Sequence, residues 1–202
     1  MGEGSTRDRI LTAGEALFAE VGFEGATLRR LTTTAEVNLA AVHYHFGNKE
    51  ALWREAVEPG LIGLRDAVAD VIEHADPGDA AGTLETFLRR LVSTAAANPH
   101  LTRILSREAI EPSPRLLTMV FEHGVPFLAS FAELYERAVE DGTVRAMPAE
   151  QALLICAGAA ESYLRVAALG EILAGDGEVP QVDVDEYADH VVEVCFCGLR
   201  PR

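Results

Sequence analysis

The sequence predicts an all-α fold, and three observations carry that prediction. Alanine and leucine are abundant, runs of strand-type residues are scarce, and the prolines fall at breaks between helix-period stretches. At 202 residues, 49% of them hydrophobic, the chain suits one large domain or a small head on a larger body.

From Arg7 to Val21 the residues Ile10, Ala13, Leu17, Phe18 and Val21 recur at helical spacing, and Gly22 is placed to end that helix. Thr27 can cap a short second helix whose inward face is Leu28, Leu31 and Ala35. Asn38 can cap a third, in which Val42 and Phe46 lie four apart and turn inward. Gly47 breaks it, and Asn48 can cap a fourth beginning KEALW. These short helices make a compact head, and the second and third, joined only by EVN, form a helix-turn-helix.

Beyond the head, breaks are expected at EPG (58–60), DPGD (76–79), NP (98–99), EPSP (111–114), DGTVRAMP (141–148) and GDGEVPQVD (175–183). Helical stretches near 61–75, 80–97, 99–111, 114–140, 149–174 and 184–198 lie between them, with Pro126 kinking or dividing the 114–140 segment. The body is thus expected to be a bundle of about six helices.

Several function classes are disfavoured. The longest uncharged apolar stretch, QALLICAGAA, is too short to span a bilayer, and MGEGSTRDR lacks an apolar signal core. Three cysteines give no disulfide framework, so a reducing, cytoplasmic home is expected. The net charge of −15 looks hostile to nucleic acid until its distribution is considered. Residues 1–54 hold six basic and seven acidic side chains, whereas the remaining 148 hold 11 and 25. Phosphate contact needs only a local positive surface, so the near-neutral head remains eligible.

The segment NLAAVHYHFGNKEAL (38–52) raises the sharpest question, because His43-x-His45 suggests a metal or catalytic pair. On a helix, residues two apart point about 200° from each other, and no nearby Asp, Glu or Cys completes a ligand set. Cys195-x-Cys197 fails on the same geometry. Neither histidine has a carboxylate orienter in the local sequence. The body carries no HExxH, no nucleophile–base–orienter set and no phosphate-binding glycine loop. No catalytic residue, metal or cofactor is therefore expected.

A different partition explains the segment. With Val42 and Phe46 inward, the outward surface is Leu39, Ala40, Ala41, His43, Tyr44 and His45. Small residues allow close approach, and the polar ones can hydrogen-bond to base edges in a major groove. Asn48 and Lys49 open a helix amino terminus, where free N–H groups and the dipole favour phosphate, and Thr27 opens the preceding helix likewise.

Residues 6–55 resemble the DNA-binding domain of the TetR family of bacterial transcriptional regulators, through RILTAGEALFAEVGFEGATLRRL and VNLAAVHYHFGNKEAL. The resemblance implies that Tyr44 and Lys49 contact backbone phosphate, joined by Thr27 from the second helix. It further implies that Leu39, Ala40, Ala41, His43 and His45 face bases, and that Arg29 and Arg30 occupy positions that touch DNA in some relatives. Two departures stand out. Glu36 sits where the turn usually carries glycine, and Thr32-Thr33-Thr34 replaces better helix formers.

The resemblance divides the chain into a helix-turn-helix domain at 1–55 and a ligand-binding and dimerisation domain at 56–202. It implies a homodimer built by the last two helices, a palindromic double-stranded DNA operator, and a small-molecule effector, hence a ligand-responsive repressor. In the final helix Tyr187, Val191, Val194 and Cys195 are expected on one apolar stripe. Candidates to line an effector cavity are Phe87, Leu91, Ile104, Phe121, Phe127 and Phe131, with Glu108, Cys156 and Glu161 as polar fixing points. A ligand-independent DNA-binding protein is the alternative, and an enzyme using the body pocket a remote one.

Overall fold

The computed structural model describes residues 5–76, 78–110, 112–174 and 183–199, and every regular element among them is helical. In chain order these are α1 (Thr6–Gly25), α2 (Leu28–Ala35), α3 (Leu39–Phe46), α4 (Lys49–Glu73), α5 (Ala80–Ala97), α6 (Pro99–Glu108), α7 (Pro114–Met119), α8 (Val125–Glu140), α9 (Ala149–Ala174) and α10 (Val184–Leu199). None of the described helices is long and apolar enough to cross a membrane.

Packing divides the chain into two compact units, one holding the residues up to Gly63 together with His100–Val120, the other Leu64–Pro99 together with the residues from Phe121 on. The first unit therefore takes in α6 and α7 as well as the predicted head. Its core contains Ile10, Leu17, Phe18, Leu31, Val42, Phe46, Leu52, Trp53, Ile104, Leu116 and Met119. α1 starts on a capping box, in which Ser5 Oγ accepts the Asp8 N–H and the Asp8 carboxylate accepts the Ser5 N–H. It is interrupted where expected: Gly22 has φ +73°, and only a short turn continues to Gly25.

In the second unit α5 packs against α8, α9 and α10. Phe87, Phe131, Leu134 and Tyr135 fill its centre, with Tyr135 donating its hydroxyl to the Arg145 carbonyl at 2.8 Å. On α10 the inward stripe is Tyr187, Ala188, Val191, Val192 and Cys195. Val194, expected on that stripe, is 72% exposed, because it lies three residues from Val191 on the side away from Val192 and Cys195.

Two expected breaks behave differently. EPG at 58–60 does not interrupt α4, which runs through Pro59 for 25 residues although Pro59 has no N–H to donate to the ladder. The 114–140 segment does divide, through a π-helical turn at Val120–Gly124 that leads into Pro126 in the first turn of α8. Pro77, Glu111 and 175–182, within three other expected breaks, lie outside the described residues, as does the Cys197 side chain.

Candidate nucleic-acid interface

The two helices of the helix-turn-helix are bounded by side-chain caps of the kind their sequences suggest. Thr27 Oγ1 accepts the Arg30 N–H at 3.3 Å, and Asn38 Oδ1 accepts the Ala41 N–H at 2.9 Å. Between them Glu36 is left-handed, at φ 54° and ψ 47°. The Val37 N–H reaches the Thr32 carbonyl at 3.0 Å and the Glu36 N–H the Thr33 carbonyl at 3.3 Å, the paired bonds of a Schellman motif.

On α3 the buried stripe is wider than Val42 and Phe46. Ala41 and His45 are half-buried beside them, because positions 41, 42, 45 and 46 follow the three- and four-residue spacing of one helical face. Leu39, Ala40, His43 and Tyr44 form the exposed face, Tyr44 being 85% exposed. A large aromatic so exposed gains nothing from the core and is free to reach a partner. His43 Nδ1 lies 2.8 Å from the Gly47 carbonyl, tying the ring to the end of its own helix.

The cationic groups are differently arranged. Arg29 and Arg30 are exposed on α2, and Arg30 pairs with Glu20 at 3.0 Å. Thr27 Oγ1 accepts a backbone bond, which leaves its hydroxyl proton available to donate. Asn48 Oδ1 caps α4 through the Ala51 N–H at 2.8 Å. Lys49 follows, with Nζ 2.9 Å from the Phe23 carbonyl and 4.1 Å from the Phe23 ring centroid. An ammonium with three donors can hold that carbonyl and still meet a phosphate oxygen.

Sequence reasoning passed over the residues that hold these groups. Phe23 anchors Lys49, Glu20 pairs with Arg30, and Arg7 both lies over the Phe46 ring at 5.2 Å and pairs with Glu55. Their partners are distant in sequence, so no local spacing could announce them.

The residues expected around an effector are dispersed. Phe87, Phe131 and Cys156 line one cavity in the second unit with Leu84, Leu88, Tyr135, Ala152 and Phe196; its volume is about 10 Å³, room for about one water. Phe127 stacks on Phe87 at 5.8 Å, Leu91 is buried in the same cluster, and Glu161 is half-buried on α9. Ile104 and Glu108 belong to the first unit, Ile104 in its core and Glu108 bonded to Ser113 and Arg115. Phe121 falls in the π-helical turn, whose wider winding shifts the buried face, and is 70% exposed. The Cys156 and Cys195 thiols are hydrogen-bonded: receiving the Cys156 S–H pulls Cys195 down to about 7, while that bond and burial push Cys156 up.

A capped helix-turn-helix presenting an exposed face beside two helix amino termini, on an all-helical body, defines a DNA-binding transcriptional regulator. The family model for bacterial regulatory proteins of the tetR family matches residues 10–56. Over 182 residues the chain is 30% identical to the HTH-type transcriptional repressor SCO4008 of Streptomyces coelicolor, covering 86% of each. The chain therefore belongs to the TetR family, a family of regulators and not of enzymes. It is also 43% identical over 66 residues to the transcriptional repressor AcnR of Corynebacterium efficiens, which is 33% of this chain and 35% of that one. Among solved structures, the ketosteroid transcriptional regulator KstR2 of Mycobacterium tuberculosis shares the fold with a TM-score of 0.77 at 16% identity, covering 100% of this chain and 98% of that one.

Proposed function

We propose that the protein is a cytoplasmic repressor whose DNA-binding domain ends near residue 55, and that it binds a palindromic operator as a homodimer. In this reading Leu39, Ala40, Ala41, His43 and His45 read bases, with the half-buried Ala41 and His45 at the margins. Tyr44, Lys49 and Thr27 grip phosphate, and Arg29 and Arg30 add contacts from α2. The observation that carries it is the exposed α3 face, above all Tyr44 at 85% exposure, beside the capped starts of α2 and α4. α9 and α10 supply the dimer interface, supported by Leu154, Ile155 and Val194, all more than half exposed. A symmetric dimer then sets its reading helices about 34–36 Å apart, one turn of duplex.

An effector binds in the second unit and releases the operator by tilting α4, which requires different ligand affinity in the two states. The cavity around Phe87 and Cys156 holds about 10 Å³, so it must open to admit an effector. That small volume favours a second reading, in which the protein binds DNA without a ligand.

Selection of bound duplexes from a random pool tests the main reading. Tyr44→Phe and Lys49→Ala should weaken binding to every sequence, and Lys49→Ala should lower the salt slope by about one. His43→Ala should instead change sequence preference. A Lys49→Ala variant with altered preference and an unchanged slope would overturn these roles. Release by no metabolite in a broad panel would leave the ligand-independent reading standing.

A further inference from the structure

Residues 100–119 belong to the first compact unit, and they touch its other part at the end of α1. Arg107 donates to the Glu20 carbonyl at 2.9 Å. The Arg115 guanidinium lies 3.7 Å from the Phe23 ring centroid and 5.4 Å from the Trp53 ring, with its side chain only 17% exposed. Glu108, itself 9% exposed, pairs with Arg115 at 3.1 Å and accepts the Ser113 hydroxyl. A carboxylate and two aromatic rings replace part of the water this buried cation gives up, while its Nε stays buried without a hydrogen-bond partner.

The same turn of α1 holds two of the cations assigned to DNA. Glu20 pairs with Arg30, and Phe23 holds Lys49 through both its carbonyl and its ring. Phe23 follows Gly22, where the positive φ interrupts the helix, so the α1 ladder alone does not fix its position. Packing must do so. Phe18 stacks on one part of it, Trp53 meets it edge-on, and Arg115 makes the closest contact of a charged group with the ring.

We propose that Arg115 is a positioning residue for DNA binding, which holds Phe23 where Phe23 orients Lys49 toward phosphate. The inference rests on the reading of Lys49 as a phosphate contact. Its physical basis is preorganisation: a lysine anchored by a carbonyl and a ring loses less rotamer freedom when a phosphate arrives. Through Arg115 the 100–119 segment would set the strength of a contact that none of its own residues makes.

The test uses the full chain and a mixed-sequence duplex in dilute buffer, because phosphate contacts do not depend on base sequence. Lys49→Ala, Arg115→Ala and the double variant are titrated over a salt series, with affinities expressed per folded protein from circular dichroism. Lys49→Ala should weaken binding roughly tenfold and lower the salt slope by about one. Arg115→Ala should cost about threefold to tenfold in the native background and nothing further in the Lys49→Ala background. A merely structural arginine would show the same loss in both. Should Arg115→Ala leave Glu108 unpaired and the chain unfolded, Phe23→Leu, which keeps the apolar bulk, takes its place with the same decision. Equal losses in the two backgrounds, or no loss in either, overturn the inference while leaving Lys49 in its role. If Lys49→Ala alone changes neither affinity nor slope, the phosphate contact itself is refuted and the positioning role falls with it.

Discussion

Both compact units cap helix starts with polar side chains, as Asp79 does for α5 and Asp183 for α10 in the second, but each shows one means of specification most fully. In the first, single polar residues set the joints: Ser5, Thr27, Asn38 and Asn48 each accept a backbone N–H at a helix start, and Gly22 and Gly47 take positive φ where the chain turns. In the second, the core is a row of rings, Phe127 on Phe87, Phe87 against Phe131, and Phe131 on Tyr135 at 5.9 Å. Caps are written in short sequence and can be read there. Interlocked rings are specified only by what they meet across helices, and that is not written locally.

The largest effect that sharpens this contrast is expected at Phe131, 2% exposed between Phe87 and Tyr135. Phe131→Ala should cost about 3–5 kcal/mol in urea unfolding, through lost burial and the cavity left behind. DNA affinity per folded protein should be unchanged in dilute buffer, because no residue assigned to DNA touches this core. A cost below about 1 kcal/mol would mean that the second unit collapses around the gap and is packed less tightly than its rings suggest.

This contrast also explains what the sequence disclosed. The helix starts at Thr27, Asn38 and Asn48 were legible because a cap is a residue type at a fixed distance from the backbone N–H it accepts. The exposed face of α3 was legible as the complement of Val42 and Phe46, although Ala41 and His45 were placed too far outward when only those two were counted as buried. EPG misled, because a proline followed by glycine ordinarily ends a helix, yet packing carries α4 through it. Residue type alone marks the expected pocket residues. Phenylalanines that fill a core and phenylalanines that line a cavity look identical in sequence, and Phe121 shows a third fate, exposure in a π-helical turn. Arg115 and Phe23 were silent because they meet across 92 positions of chain.

A smaller effect separates stability from binding inside the first unit. Asn38→Ala removes the acceptor for the Ala41 N–H and should cost about 1 kcal/mol in urea unfolding. Asn38→Asp keeps that acceptor and adds a charge the helix dipole favours, so stability should hold. It also sets a carboxylate at the start of the reading helix, so affinity for DNA should fall most in dilute buffer and recover relative to the native protein as salt rises. Equal DNA affinity for Asn38→Asp and the native chain would move the interface away from the α3 start.

The smallest effect concerns the one joint where the first unit departs from its own rule. Among the described residues, every positive φ falls on a glycine except at Glu36. A side chain in that conformation costs roughly 1–2 kcal/mol, because its Cβ crowds the following carbonyl. Glycine removes the crowding but gives back part of the gain through its freer unfolded chain. Glu36→Gly should therefore stabilise by a net of about 0.5–1 kcal/mol and raise the melting temperature by about 1–4 °C. Losing an acidic group could mimic the effect, so Glu36→Ala is the control: it removes the charge and keeps a Cβ. If alanine raises the melting temperature as much as glycine does, the gain comes from charge and the turn is unstrained. If only glycine does, the backbone of the turn holds the cost.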